Sequence, residues 1–133
     1  MKTVLVSSHL SVEDLALLRR HARVVVHQGA LREASEALDD AEGLVLGSRI
    51  DREIMEECGN LIVIGHEDPD SDDIDVEAAS ALGIPIVSLH PVLHRSSKPH
   101  PGMLNLLDVL AYKKSKDVVN PEAYDHPRWN IGR

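Results

Sequence analysis

The chain has 133 residues, of which 43% are hydrophobic and 27% charged, enough to form the core of a single globular domain. Its 14 basic and 22 acidic residues give a net charge of −8, which argues against nucleic acid or an anionic membrane as a partner. One cysteine, Cys58, excludes an internal disulfide and a cysteine-based zinc site. The first apolar run is too short for a signal peptide or a membrane span, so we expect a cytoplasmic protein.

Short runs of valine, isoleucine and leucine alternate with segments of helical periodicity through most of the chain. Nearly continuous apolar runs are typical of strands that are covered on both faces. We therefore predict strands at residues 3–6, 24–27, 44–46, 61–64 and 84–87. Between them we predict four helices, one that starts at Ser11 and three at about 30–40, 51–58 and 75–82.

Strands that alternate with helices indicate an α/β fold with a parallel sheet. We expect a flavodoxin-like three-layer sandwich whose five strands have the order 2-1-3-4-5. Residues 1–89 supply these units, and residues 90–102 form a proline-rich connector. Residues 103–133 supply a closing helix, to about residue 114, and a tail that either folds back on the outer helices or presents a docking surface. That tail contains Tyr124, His126, Trp129 and Ile131.

A series of short motifs follows the predicted fourth strand in a fixed order. The strand ends in Ile64-Gly65, and after an eight-residue loop come Ile74-Asp75, Ala78-Ala79 and Gly83-Ile84-Pro85. Near the end of the chain, a leucine-rich helix precedes Val118-Val119-Asn120-Pro121-Glu122. In this order of motifs the chain resembles the substrate-binding domain, also called the catalytic domain, of the D-isomer-specific 2-hydroxyacid dehydrogenases, phosphoglycerate dehydrogenase among them.

The resemblance implies an oxidoreductase family whose nucleotide-binding domain is inserted between the fifth strand and the closing helix. Here only the connector of residues 90–102 lies between them, and no two glycines are spaced as G-x-G. The family's catalytic arginine and glutamate belong to the missing domain, and its histidine motif is matched only by His100 in Pro99-His100-Pro101-Gly102, where a linker role is favoured. We therefore predict no catalytic residue, and no cofactor unless a partner chain supplies NAD.

The loop at residues 66–73 is rich in acidic side chains. The resemblance implies a glycine-rich loop whose amides hold the substrate carboxylate, whereas here carboxylates and Pro69 replace the glycines. We therefore expect that the 2-hydroxyacid site has been dismantled. Three interpretations stay open: a solvated turn that caps the helix near Asp75, a divalent-cation site that resembles a calcium loop, and a docking site for a basic protein surface.

Polar side chains follow the carboxyl ends of the predicted strands, which meet at one edge of a parallel sheet. Imidazoles and a carboxylate at such an edge can bind zinc or a similar ion, so a divalent metal site is an alternative to a site for an organic ligand. Arg49 is alternatively expected to pair with Asp51 or Glu53. The predicted ligand site consists of Ser8, His9, Ser48, Arg49, His66, Glu67, Asp68 and His90, and the metal site of His9, His66, Asp68 and His90.

Three functional hypotheses follow from these patterns. The leading one is a stand-alone, non-catalytic derivative of the dehydrogenase domain, which binds a small ligand or a protein as a regulatory module. The second is the substrate-domain subunit of a split NAD-dependent oxidoreductase, and the third is a small metal-binding protein. The closing helix, with Leu104, Leu107 and Leu110, also suggests a homodimer.

Overall fold

A computed structural model describes residues 1–90 and 99–130 of the chain. Five parallel strands form one sheet in the predicted order, β2-β1-β3-β4-β5. The strands are β1 (Thr3–Ser7), β2 (Arg23–Val26), β3 (Gly43–Leu46), β4 (Val63–His66) and β5 (Ile86–Ser88). The helices are α1 (Val12–His21), α2 (Ser35–Asp40), α3 (Arg52–Glu57), α4 (Val76–Ala81) and α5 (Pro101–Leu110), and 3-10 turns occupy Leu31–Glu33, Pro121–Asp125 and Pro127–Trp129.

The two faces of the sheet bury different side chains, because neighbouring residues of a strand point to opposite faces. One face packs leucine and isoleucine of the strands against α2, α3 and α4. The opposite face packs valine of the strands against α1 and α5, which together complete the three-layer sandwich. The first set includes Leu5, Leu44, Leu46, Ile64 and Ile86, and the second Val4, Val6, Val45, Val63 and Val87.

Three helices begin at the capping residues that the sequence predicts. Ser11 accepts a hydrogen bond from the Asp14 amide at 3.1 Å, and Asp51 accepts one from the Ile54 amide at 3.1 Å. Asp75 caps α4 in the same way. These side chains satisfy amides that have no partner within the helix itself, so each helix has a defined start.

Two helices differ from the prediction. The expected helix at 30–40 is divided into a 3-10 turn and α2, because Ala34 between them has φ −102° and ψ 35°. The closing helix starts at Pro101, inside the predicted connector, and it ends at Leu110 instead of about residue 114. It ends there because Tyr112 has φ 63°, a left-handed conformation that stops a helix. None of the helices in the described ranges is long and apolar enough to cross a membrane.

The tail folds back on α4 and the turn that follows it, which is one of the two arrangements expected from the sequence. The Trp129 indole is buried and donates a hydrogen bond to the Gly83 carbonyl at 2.7 Å. The Tyr124 ring meets it edge-on, with 5.1 Å between the ring centroids. Ile131 and residues 91–98 of the connector lie outside the described residues.

Asn120 ties the tail to β5 and is fully buried. Its Oδ1 accepts the Ile86 amide hydrogen at 2.7 Å, and its Nδ2 donates to the Ile84 carbonyl at 3.0 Å and to Ser80 Oγ at 3.1 Å. Because β5 is an edge strand of the sheet, this side chain supplies backbone partners there that a further strand would otherwise provide.

We predict that Asn120→Ala lowers the free energy of unfolding by about 2–4 kcal/mol, because it leaves a buried amide and a buried carbonyl without these partners. Chemical denaturation measures the change. The exposed Asn130 is the matched control, and Asn130→Ala should change the free energy by less than about 0.5 kcal/mol. Equal effects of the two substitutions would contradict the proposed role of Asn120.

Candidate functional site

The carboxyl ends of the strands lie side by side at one edge of the sheet, as the parallel order requires. The register pairs Ser7 of β1 with Leu46 of β3, and Leu46 with His66 of β4. His66 in turn pairs with Ser88 of β5. We call the ends of the five strands, with the loops that follow them, the carboxyl edge. The sequence-predicted ligand residues all belong to it.

His66 connects two loops of the carboxyl edge and is fully buried. The Asp68 amide donates to His66 Nδ1 at 2.9 Å, so Nδ1 carries no proton. His66 Nε2 lies 2.9 Å from the Ser48 carbonyl oxygen, so Nε2–H is the donor in that hydrogen bond. The imidazole is therefore neutral, and it fixes the loop after β3 to the loop after β4.

Glu67 connects the loop after β4 to the loop after β1. Ser8 Oγ donates to Glu67 Oε1 at 2.7 Å. The same carboxylate lies against Gly47, where a Cβ atom would collide with its Oε2. The absence of a side chain at Gly47 therefore allows Glu67 to reach Ser8. His66 and Glu67 together join the ends of β1, β3 and β4.

Two clefts at the carboxyl edge divide the predicted ligand residues. The first cleft, of about 470 Å³, lies above β1 and β2, and Ser8, His9 and Ser48 line it together with His27. The second, of about 410 Å³, lies beside the loops after β3 and β4, and Arg49 lines it. His66, Glu67, Asp68 and His90 line neither of these two clefts. The predicted set is thus distributed over separate places.

His100 contacts the loop after β5 through the backbone of His90. His100 Nε2 lies 3.0 Å from the His90 carbonyl oxygen, and His100 Nδ1 accepts the Gly102 amide hydrogen at 2.9 Å. The His100 amide donates to Asp14 Oδ1 at 2.6 Å. His100 is therefore the N-cap of α5, a structural role consistent with the linker interpretation of its motif.

The structure does not assemble the predicted metal site of His9, His66, Asp68 and His90. Within residues 1–90 and 99–130, no three histidine, cysteine, aspartate or glutamate side chains form a group that could hold a metal ion. The physical reason is that both ring nitrogens of His66 already bond to backbone atoms. The part of the acidic loop that the structure describes likewise contains no such group, and Asp75 caps α4.

Arg32, and not Arg49, pairs with the carboxylates near the start of α3. Arg32 lies 3.0 Å from Asp51 and 3.8 Å from Glu53, and no ion pair among the described residues involves Arg49. The expected pairing of Arg49 with these two carboxylates is therefore wrong, since Arg32 occupies that position. Arg49 is exposed at the rim of the second cleft.

Cys58 is a buried, free cysteine at the end of α3. Burial, with the carboxylates of Glu57 and Asp39 as further causes, raises the pKa of its thiol to about 12. The thiol is therefore protonated at neutral pH, which agrees with the interpretation of Cys58 as a small core residue.

Sequence reasoning named Ser8 and Glu67 as ligand residues but missed the contacts that Glu67 makes. The Ser8–Glu67 hydrogen bond spans 59 positions of the chain, so no local pattern indicates it. The contact of Glu67 with Gly47 likewise depends on the register of β3 and β4. The contact between His66 and the Asp68 amide is local, because the two residues are two positions apart and the side chain bonds to the backbone of a turn.

The sequence model of the family described as D-isomer specific 2-hydroxyacid dehydrogenase, catalytic domain, matches residues 4–97. D-3-phosphoglycerate dehydrogenase of Methanocaldococcus jannaschii is 34% identical over 91 residues, which are 66% of this chain and 17% of that protein.

Solved structures show the same relationship. The PH0520 protein of Pyrococcus horikoshii has a TM-score of 0.63 and 25% identity, over 70% of this chain and 29% of its own. The TT0316 protein of Thermus thermophilus has a TM-score of 0.60 and 34% identity, over 68% of this chain and 31% of its own. The chain thus spans less than a third of the length of each of these proteins.

We predict that Ser8→Ala and Gly47→Ala act through the same hydrogen bond. Each should lower the free energy of unfolding by about 1–2 kcal/mol, because Ser8→Ala removes the donor and a Cβ at residue 47 displaces the Glu67 carboxylate. The double variant should then lose little more than either single variant, which a double-mutant cycle by chemical denaturation measures.

Gly59→Ala is the matched control for Gly47→Ala, because a Cβ at residue 59 would have no atom within 4 Å. It should change the free energy by less than about 0.5 kcal/mol. Fully additive losses in the double variant would contradict a common action through Glu67.

Proposed function

Because the chain belongs to the family of D-isomer specific 2-hydroxyacid dehydrogenase catalytic domains, we propose that it is a non-catalytic derivative that binds a small ligand or a protein as a regulatory module. Its ligand would bind at the carboxyl edge of the sheet. The observation that carries the proposal is the loop after β4, in which four backbone amides donate hydrogen bonds within the protein.

Four amides of this loop donate to acceptors within the protein. Glu67 N–H donates to the Leu46 carbonyl at 3.0 Å, and Asp68 N–H donates to His66 Nδ1 at 2.9 Å. Farther along, Ser71 N–H donates to the Asp68 carbonyl at 3.2 Å, and Asp73 N–H to Ser71 Oγ at 3.2 Å. Pro69 has no N–H. Since the family resemblance assigns these amides to a substrate carboxylate, their internal use supports the loss of that function.

The negative charge of the same loop also opposes the binding of an anionic acid. Asp68, Asp70, Asp72 and Asp73 are all exposed, so their carboxylates face solvent where an anionic acid would approach. Like charges at close range repel by an amount that depends on salt. A 2-hydroxy or 2-oxo acid would therefore meet repulsion as well as a shortage of donors.

The open cleft above β1 and β2 is the favoured place for a ligand. It lies between the ends of β1 and its two neighbours, where the order of the strands reverses and doubly wound sheets commonly bind ligands. Val6 and Leu15 provide apolar surface, and the exposed side chains of His9 and Ser48 provide polar groups at its rim. A volume of about 470 Å³ suits a small molecule.

We predict that the purified chain does not oxidise NADH with any 2-oxo acid and does not reduce NAD with any 2-hydroxy acid. We also predict no thermal shift with these acids, whereas a ligand at a hundred times its Kd would add about 2.7 kcal/mol. Absorbance at the NADH band and a thermal-shift panel measure the two effects. Saturable turnover by the isolated chain would contradict the proposal.

The second candidate is the substrate-domain subunit of a split dehydrogenase. It is favoured by the lengths of the relatives, of which this chain covers only 17–31%. The test is affinity purification from the native extract, followed by the same NADH assay on the complex. Turnover by the complex, absent from the chain alone, would favour the split enzyme over the binding module.

A further inference from the structure

Helix α5 has two apolar faces, and only one of them is buried in its own core. Met103, Leu106 and Leu110 pack under the sheet and are almost fully buried. Leu104 is 57% exposed, and Leu107 is only partly buried. Residues three and four positions apart lie on the same side of a helix, so Leu104, Leu107 and Ala111 form a second stripe.

A wide cleft of about 730 Å³ lies along this second stripe. Lys2 precedes β1, Glu42 precedes β3 and His21 ends α1, so the cleft is at the amino ends of the strands, away from the carboxyl edge. Met1, which is 86% exposed, extends the apolar surface. We call this region the α5 patch: Met1, Lys2, Glu42, Leu104, Leu107, Asp108, Ala111 and Lys113.

The α5 patch carries both signs of charge around its apolar centre. Lys2 and Lys113 contribute positive charge, and Glu42 and Asp108 negative charge. A surface with both signs can oppose a second copy of itself across a twofold axis, with the lysines of one chain near the carboxylates of the other. Elsewhere the chain is strongly acidic, with a net charge of −8, so two copies would repel each other at most other surfaces.

The backbone at the end of α5 is held in an unusual conformation that places Lys113 in the patch. Tyr112 has φ 63°, which favours glycine, and the Lys113 amide donates back to the Asp108 carbonyl at 2.8 Å. The Tyr112 ring lies between Lys2, with Nζ 4.9 Å from its centroid, and Trp129, at 5.7 Å between centroids. Tertiary contacts thus maintain a turn that local preference disfavours.

We propose that the α5 patch is a homodimer interface, in which two copies of the chain pack their α5 helices against each other across a twofold axis. Leu104, Leu107 and Leu110 all line the cleft, but Leu110 is only 3% exposed, so Leu104 and Leu107 would supply most of the contact. The interface leaves both clefts of the carboxyl edge accessible, so it is independent of the proposed binding function.

Sedimentation velocity on the whole chain tests the proposal over a range of micromolar concentrations. We expect a concentration-dependent species of twice 14.6 kDa. Leu104→Glu should convert it to the monomer, because it places a charge in the apolar centre. Val12→Glu is the matched control: Val12 is 82% exposed and lies outside the patch, so the dimer should persist.

The charge pattern has its own test. Lys113→Glu should weaken the dimer about tenfold or more, since it removes a positive charge and adds a repulsive one. Lys116→Glu makes the same change at an exposed site outside the patch and should have little effect. Denaturation curves establish that each variant is folded. A wild-type chain that is monomeric at every concentration, or a dimer that survives Leu104→Glu, would overturn the proposal.

Discussion

The carboxyl edge of this protein depends on the neutral imidazole of His66. Its two ring nitrogens bond to backbone groups of two loops, the Asp68 amide and the Ser48 carbonyl, inside a fully buried site. A second proton on the ring would place a donor against the Asp68 amide. Loss of the ring would leave two backbone groups unsatisfied, at about 1–3 kcal/mol each. One buried side chain therefore joins the loop after β3 to the loop after β4.

The proposed function separates the fold of this chain from the chemistry of its family. The chain has the sheet order and helix layers of the family, whereas the loop after β4 uses four of its amides internally and presents four aspartates to solvent. A fold alone does not determine an activity, because activity depends on particular side chains. The chain presents an open cleft at one edge of the sheet and the α5 patch at the opposite edge.

The sequence predicts most of the fold because its signals are local. Apolar runs locate the strands, and Ser11, Asp51 and Asp75 locate three helix starts. The end of α5 was not predictable, since Tyr112 adopts its left-handed conformation between Lys2 and Trp129, which are distant in sequence. The sequence placed the candidate residues at one edge of the sheet, but it did not indicate their distribution over two clefts or the Ser8–Glu67 hydrogen bond, which spans 59 positions.

The proposed function rests on the hydrogen bond that the Asp68 amide of the loop after β4 donates to His66 Nδ1. A long-range ¹H–¹⁵N NMR spectrum of the histidine rings, recorded at neutral pH, tests this hydrogen bond most directly. The structure requires that His66 be protonated at Nε2 and unprotonated at Nδ1, with the Asp68 amide hydrogen-bonded to Nδ1. His66→Asn identifies the resonances. A His66 ring protonated at Nδ1, as the other tautomer or as the imidazolium, would contradict this hydrogen bond and leave the Asp68 amide available to a ligand.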